Sequence, residues 1–213
     1  MTEKNVFHVN GYLGLIIAIL LVLGGAWLLL LQTTFGIVSG IILILIALIG
    51  GSSLTIIAPN EAKALTFFGR YIGTIRTSGL YMTVPLTSKQ GVSLRVRNFN
   101  SKLLKVNDSR GNPVEIAAVI VFKVVDTSKA LFDVDDYEQF VEIQSESAIR
   151  HVASEFPYDA FNDSETLTLR SNPTEVSNKL TAELQSRLQI AGVQVMETRL
   201  THLAYATEIA SAM

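Results

Sequence analysis

The sequence has no cysteine, which excludes disulfides and thiolate-bound metal centres and leaves the redox compartment open. Histidine is nearly as scarce. His8, His151 and His202 lie far apart, and none has a partner at metal-ligand spacing. There is no Gly-x-Ser-x-Gly, no His-Glu-x-x-His, no phosphate-binding glycine loop and no redox thiol pair. No catalytic residue, cofactor or metal ligand is therefore assigned, and an enzyme is not expected. The carboxylates of Asp133, Asp135, Asp136 and Glu138 lack the central glycine and the terminal bidentate glutamate of a calcium loop. They suit the first turn of a following helix better. The absence with the largest consequence is that of charge: from Tyr12 to Ala58 there is no Asp, Glu, Lys, Arg or His.

A bilayer core about 30 Å thick takes roughly 20 apolar residues as a helix, and a charge at its centre costs about 2.5–3.5 kcal/mol on the insertion scale. Tyr12 to Leu31 and Ile37 to Ala58 each satisfy this, with Gln32 to Gly36 as the turn between them. The expectation is a transmembrane helical hairpin that spans or dips and returns, leaving Met1 and everything after Pro59 on one side. Tyr12 suits a membrane interface, whereas Trp27 lies inside the first run. Gly36 and Gly40 form a Gly-x-x-x-Gly spacing that allows two helix backbones to approach closely.

The formal net charge of −2 conceals a division. Residues 60–110 carry nine basic residues (Lys63, Arg70, Arg76, Lys89, Arg95, Arg97, Lys102, Lys105, Arg110) against Glu61 and Asp108, a net +7, whereas residues 111–213 are net −9. Anionic lipid attracts each nearby Lys or Arg by about 1 kcal/mol. Lys63, Arg70, Arg76, Lys89, Arg95 and Arg97 are therefore the expected membrane-surface contacts. The positive-inside rule then places both termini in the cytoplasm, at a bacterial-type plasma membrane. The aromatics of the basic segment lack a stacking motif, so nucleic acid is not an expected partner.

Beyond Pro59, short strands are expected over 62–68, 71–76 and 80–84, broken by Gly69, Gly73 and Gly79, each a turn or bulge position. Val92 to Arg97 alternates, with Val92, Leu94 and Val96 on a core face. Strand character continues over 102–106, and Asn107 to Pro113 is a turn by composition. Val114 to Val125 is apolar on both faces, as in a strand covered on two sides. The spacing predicts an amphipathic helix over 137–156, ended by Pro157, and a second from Asn172 as cap, with Pro173 and Glu175 in its first turn, to Gly192. A strand over 193–200 and the start of a further helix at Tyr205 complete the chain.

The fold class expected is α+β. It comprises an N-terminal segment (1–11), a membrane hairpin (12–58), a basic, mostly-β subdomain (59–110), an α/β subdomain (111–204) and the start of a C-terminal helix (205–213).

Pro59-Asn-Glu61, Phe68-Gly-Arg-Tyr-Ile-Gly73, Gly79-Leu80, Pro85, Ser93-Leu-Arg95, Asp108 with Gly111-Asn-Pro113 and the strand 114–126 follow the apolar hairpin in order. Ala148-Ile-Arg150, Arg170, Gly192-Val-Gln-Val195 and Tyr205 to Met213 continue the series. In this order the chain resembles the SPFH or band 7 family of stomatin, prohibitin, flotillin and HflK/C, over about 57–213. The resemblance implies a non-enzymatic scaffold that homo-oligomerises into rings or cages, organises membrane microdomains and controls partner membrane proteins, including proteases and channels. It further implies a first subdomain on or in the lipid surface, a second making inter-subunit contacts, and a coiled coil beyond Met213. Thr207 stands where relatives often have proline, and the hairpin differs from relatives with one crossing. A regulatory adaptor of a membrane protease or channel, acting as a small complex, is the alternative function.

Overall fold

The computed structural model describes residues 3–160 and 167–206, which form two compact units meeting at Ser93 and Leu94. The fold is α+β, with two apolar helices at the N-terminus followed by a β-rich region and further helices.

In the first unit β1 (Val9–Asn10) leads directly into α1 (Gly11–Leu30), where the Asn10 side chain caps by accepting from Tyr12 N at 3.0 Å. Three residues later α2 (Thr34–Ser52) starts under the Thr33 cap, whose hydroxyl accepts from Gly36 N. The second helix ends six residues short of the expected Ala58. Ser52 and Ser53 turn their hydroxyls back onto the carbonyls of Ile49 and Gly50, and the β-branched run that follows becomes β2 (Leu54–Ile57). There follow β3 (Glu61–Phe67), β4 (Arg70–Ile75), β5 (Gly79–Met82) and β6 (Thr87–Ser93). Two three-stranded antiparallel sheets result, in the orders β1-β5-β2 and β4-β3-β6. Their shared core is small: Val6, Ile57, Leu65 and Ile75, with Ile72 and Tyr81 packed against it.

Gly73 sits at a bulge, as expected: the β3–β4 register shifts between Leu65, opposite Gly73, and Thr66, opposite Tyr71. It lies inside β4 at φ +148°, where a Cβ would stand 2.5 Å from the Lys4 carbonyl. Its lack of a side chain lets the N-terminal segment lie along the sheet, with Thr74 N donating to Lys4 O at 2.7 Å.

The second unit contains β7 (Arg97–Asn100), β8 (Leu104–Asn107), β9 (Pro113–Val124), α3 (Thr127–Phe132), α4 (Tyr137–Glu155), α5 (Pro173–Leu188), a 3-10 turn (Gln189–Ala191) and β10 (Val193–Tyr205). The long β9 is central, pairing with β10 on one side and with β7 and β8 on the other, all antiparallel. Val114, Ile116, Ala118, Ile120 and Phe122 pack against Val141, Ile149 and Val152 of α4 and Val176, Leu180 and Leu184 of α5. This burial holds the unit together.

The chain divides after Ser93, not after Arg110, because β7 and β8 pair with β9. Val92 to Arg97 is the junction between the units and not one strand, and Val96 is 56% exposed. The second face of β9 is only half-buried, since Val119 and Val121 stand opposite the exposed Asn100, Asn98, Arg199 and Glu197. Asn172 does not cap α5 with its side chain, which instead accepts from Thr168 N at 3.2 Å. β10 runs on to Tyr205, so the further helix does not begin there; the rest of that segment, 207–213, lies outside the described residues.

Two features hold the ends of the second unit. Gly192 is left-handed at φ +65°, and a Cβ there would meet the Asp126 carbonyl at 2.4 Å. At the other end the buried Asp108 carboxylate accepts from Arg110 N, Asn112 N and Asn112 Nδ2 within its own turn, and from Tyr158 N across 50 positions of sequence, all at 2.8–3.1 Å.

Candidate membrane interface

The first helix pair is apolar all round and has almost nothing packed on it. In α1 only Gly11, Gly14 and Gly25 are buried, and in α2 only Gly36, Gly40 and Ala47. Of the apolar windows, 6% and 17% are buried within the molecule. A core helix of a water-soluble domain would bury most of its length; these two leave leucine and isoleucine side chains uncovered on every side. At 1.5 Å per residue, 20 and 19 residues extend about 30 Å, the thickness of a bilayer core.

Glycines set where the two helices meet. A Cβ on Gly40 would stand 2.8 Å from the Gly25 carbonyl oxygen, one on Gly25 would stand 3.0 Å from the Gly40 oxygen, and one on Gly36 would stand 2.7 Å from the Leu28 oxygen. Gly36 and Gly40 thus lie against α1 within the same chain. Their partner is Gly25, which no glycine spacing in the sequence marks, and Gly11 and Gly14 let the start of α1 lie on Leu80, Tyr81 and Met82 of β5. The i, i+3 spacing of Gly11 and Gly14 was the available signal.

Where α2 ends, its last carbonyls are answered by the sheets. Thr83 donates to Ser53 O through both N and Oγ1 at 2.9 Å, and Leu86 N donates to Ser52 Oγ at 3.2 Å. Lys89 Nζ donates to Ser52 O at 2.8 Å and Leu54 O at 2.7 Å. A cation at a helix C-terminus is favoured by the helix dipole. Burial, and secondarily Lys63, pushes the Lys89 ammonium below its ordinary pKa.

The other cations expected at the lipid surface are dispersed. Lys63 sits 3.9 Å from Glu61. Arg70 is exposed at the β3–β4 turn. Arg76 is paired with Glu3 at 3.2 Å. Arg95 and Arg97 belong to the second unit. Arg97 pairs with Glu138 and lies 5.9 Å over the Tyr137 ring, whose phenol burial pushes up to about 12, with Arg97 opposing and Glu138 adding to the rise. Among the described residues no cluster of three or more His, Asp or Glu could hold a metal ion.

Residues 55–213 match the family model described as SPFH domain / Band 7 family. A stomatin homologue of Pyrococcus horikoshii is 28% identical over 123 residues, 57% of this chain and 46% of the relative. One of Pyrococcus abyssi is 29% identical over 131 residues, 61% of this chain and 48% of the relative. The chain spans about half the length of these curated relatives.

Proposed function

The chain belongs to the SPFH domain / Band 7 family, and on that premise we propose that it is a non-enzymatic membrane scaffold. It is anchored by the α1–α2 hairpin and self-associates into a ring or cage that borders a lipid microdomain and controls partner membrane proteins. The observation that carries this reading is the uncovered apolar surface of α1 and α2, joined through β2 to the family domain without a linker. The hydrogen bond from Thr74 N to Lys4 O ties the N-terminal segment to β4, which supports both helix ends emerging on one side. The concentration of Lys and Arg after the hairpin favours the cytoplasmic side.

Extraction of the full-length protein from its membrane in a mild detergent, followed by mass measurement, is expected to give a large homo-oligomer. A strict monomer at every concentration would overturn this. One stoichiometric membrane protein co-purifying without self-association would establish the adaptor function instead.

In this scaffold Arg70 faces lipid headgroups, while Lys63, Arg76 and Arg97 are engaged by Glu61, Glu3 and Glu138 and Lys89 by the Ser52 and Leu54 carbonyls. Arg70→Gln is expected to reduce roughly fivefold the amide protection that anionic vesicles add at the β3–β4 turn, from about 1 kcal/mol per surface cation. Equal protection in anionic and zwitterionic vesicles for the unaltered chain would remove the electrostatic contact.

A further inference from the structure

The second unit leaves one edge of its sheet open. Arg97 and Phe99 stand opposite Phe122 and Ile120, and Ser101 N donates to Ala118 O at 2.9 Å, so residues 97, 99 and 101 turn their backbone groups toward β9. In an antiparallel ladder the alternate residues face the other way. The N–H and C=O of Asn98 and Asn100 therefore point outward, and among the described residues no strand receives them. The opposite edge is treated differently. There Val195 N donates to Gln185 Oε1 at 2.9 Å and Gln185 Nε2 donates to Val193 O at 3.3 Å, so a side-chain amide takes the place of a neighbouring strand.

A cavity of about 540 Å³ lies between β7 and the first two turns of α4. Phe99, Phe122 and Val141 give it apolar walls, the last two buried, and Asp136, Glu138 and Glu142 give it carboxylates. Apolar walls under an anionic rim suit a long side chain that is aliphatic along its stem and cationic at its end. The chain's own residues show the fit. Arg97, in the cavity wall, pairs with Glu138 and lies 5.9 Å over the Tyr137 ring, and Lys102 Nζ stands 3.2 Å from Glu142 and 4.0 Å from Glu146. Even with both cations counted, these four carboxylates outnumber them, in a stretch, residues 111–213, that is net −9.

We propose that β7 and this cavity form a docking site for an extended basic segment of another protein. Its main chain adds antiparallel beside β7, bonding to Asn98 and Asn100, and its lysine or arginine side chains opposite residues 97 and 99 enter the cavity toward Glu138 and Glu142. Main-chain pairing holds the segment, and the alternation of side chains sets the requirement: every second residue, on the α4 side, is basic. The site needs neither the membrane hairpin nor self-association.

The absence of cysteine allows a single thiol to be placed at Asn100→Cys, an exposed position on the open edge. The full-length protein in detergent is equilibrated, under excess mercaptoethanol, with acetyl-Thr-Cys-Lys-Thr-Lys-Thr-Val-amide or with its isomer acetyl-Thr-Cys-Thr-Lys-Thr-Lys-Val-amide. Disulfide capture is read by mass. With its cysteine opposite position 100, the first peptide sets its lysines opposite 99 and 97, and the second sets them opposite 98 and 96, on the other face. Capture of the first is expected to exceed that of the second roughly fivefold, the upper range for an opposite-charge pair across strands. Norleucine in place of lysine, or Glu138→Gln with Glu142→Gln, should bring the two isomers level. N-methylation of the threonine opposite Asn98 should reduce capture of the first peptide several-fold. Equal capture of the two isomers, the same ratio at a thiol placed at the exposed Ser186→Cys of α5, or capture undiminished by N-methylation would overturn the docking site. So would failure of the thiol at position 100 to form a disulfide with either peptide.

Discussion

Asp108→Ala is expected to cost the second unit about 3–5 kcal/mol, the range for stripping a buried charge-assisted network of its acceptor. The side chain is 5% exposed, and its two oxygens take three backbone N–H groups and one side-chain amide. Alanine leaves Arg110 N, Asn112 N and Tyr158 N without that acceptor and releases the turn from the chain that follows α4. Asp108→Asn should fall between, because its single carbonyl oxygen can replace one carboxylate oxygen while its amide opposes the donors facing the other. Guanidinium unfolding of the full chain in detergent, followed through amide exchange in β9, measures both. A loss below about 1 kcal/mol for the alanine variant would contradict the network's role.

The same carboxylate gives a pH dependence with a definite sign. Burial alone would raise its pKa; the hydrogen bonds from Tyr158, Asn112 and Arg110 outweigh this and hold it below the ordinary carboxylate value. A group whose pKa is depressed on folding contributes fully above its unfolded value, near 3.9 for aspartate. That contribution disappears as pH falls through the lower folded value. The stability difference between the native chain and Asp108→Ala should therefore be constant at neutral pH and narrow below about pH 4.

The contrast between Asp108 and the hairpin shows what a sequence can display. Absence of charge over Tyr12 to Ala58 is a local, one-dimensional signal, and it located the two helices. The end of the second was misplaced because Leu54-Thr-Ile-Ile57 has the same apolar character as a helix continuing; only the serine pair and β-branching marked the change. Val92 to Arg97 alternated as a strand should, yet β6 pairs with β3 and β7 with β9, so pairing partners and not periodicity decided where the units part. The short α3 escaped notice because six residues carry too little periodicity, although Asp126 caps it through Lys129 N. Long-range roles were illegible for the same reason. Nothing near Lys89 in sequence reveals that its ammonium reaches Ser52, and nothing near Asp108 points to Tyr158. At the interface the Gly36–Gly40 spacing was visible, but which glycine it met was not.

Gly24 and Gly25 supply the second large effect, because adjacent glycines of the same helix should behave oppositely. A Cβ at Gly24 meets nothing within 4 Å, whereas one at Gly25 meets the Gly40 carbonyl at 3.0 Å and Ile44 Cγ1 at 2.8 Å. From the other helix, a Cβ at Gly40 meets the Gly25 carbonyl at 2.8 Å. A side-chain atom can rotate aside, but a carbonyl held in a helix cannot, so leucine at Gly25 or Gly40 forces the two axes apart. Overpacking of this kind costs about 1–3 kcal/mol, and in lipid no hydrophobic gain offsets the lost close packing, since acyl chains are as apolar as leucine. Nitroxides at Leu20→Cys and Ile46→Cys, both on exposed helix positions, report the separation by dipolar spectroscopy. Gly24→Leu should leave their distance distribution unchanged, while Gly40→Leu should lengthen and broaden it. Equal behaviour of the two variants would mean that the helices do not cross at Gly25 and Gly40 in the bilayer, and the exit of α2 onto β2, Thr83 and Lys89 would have to be held by the sheets alone.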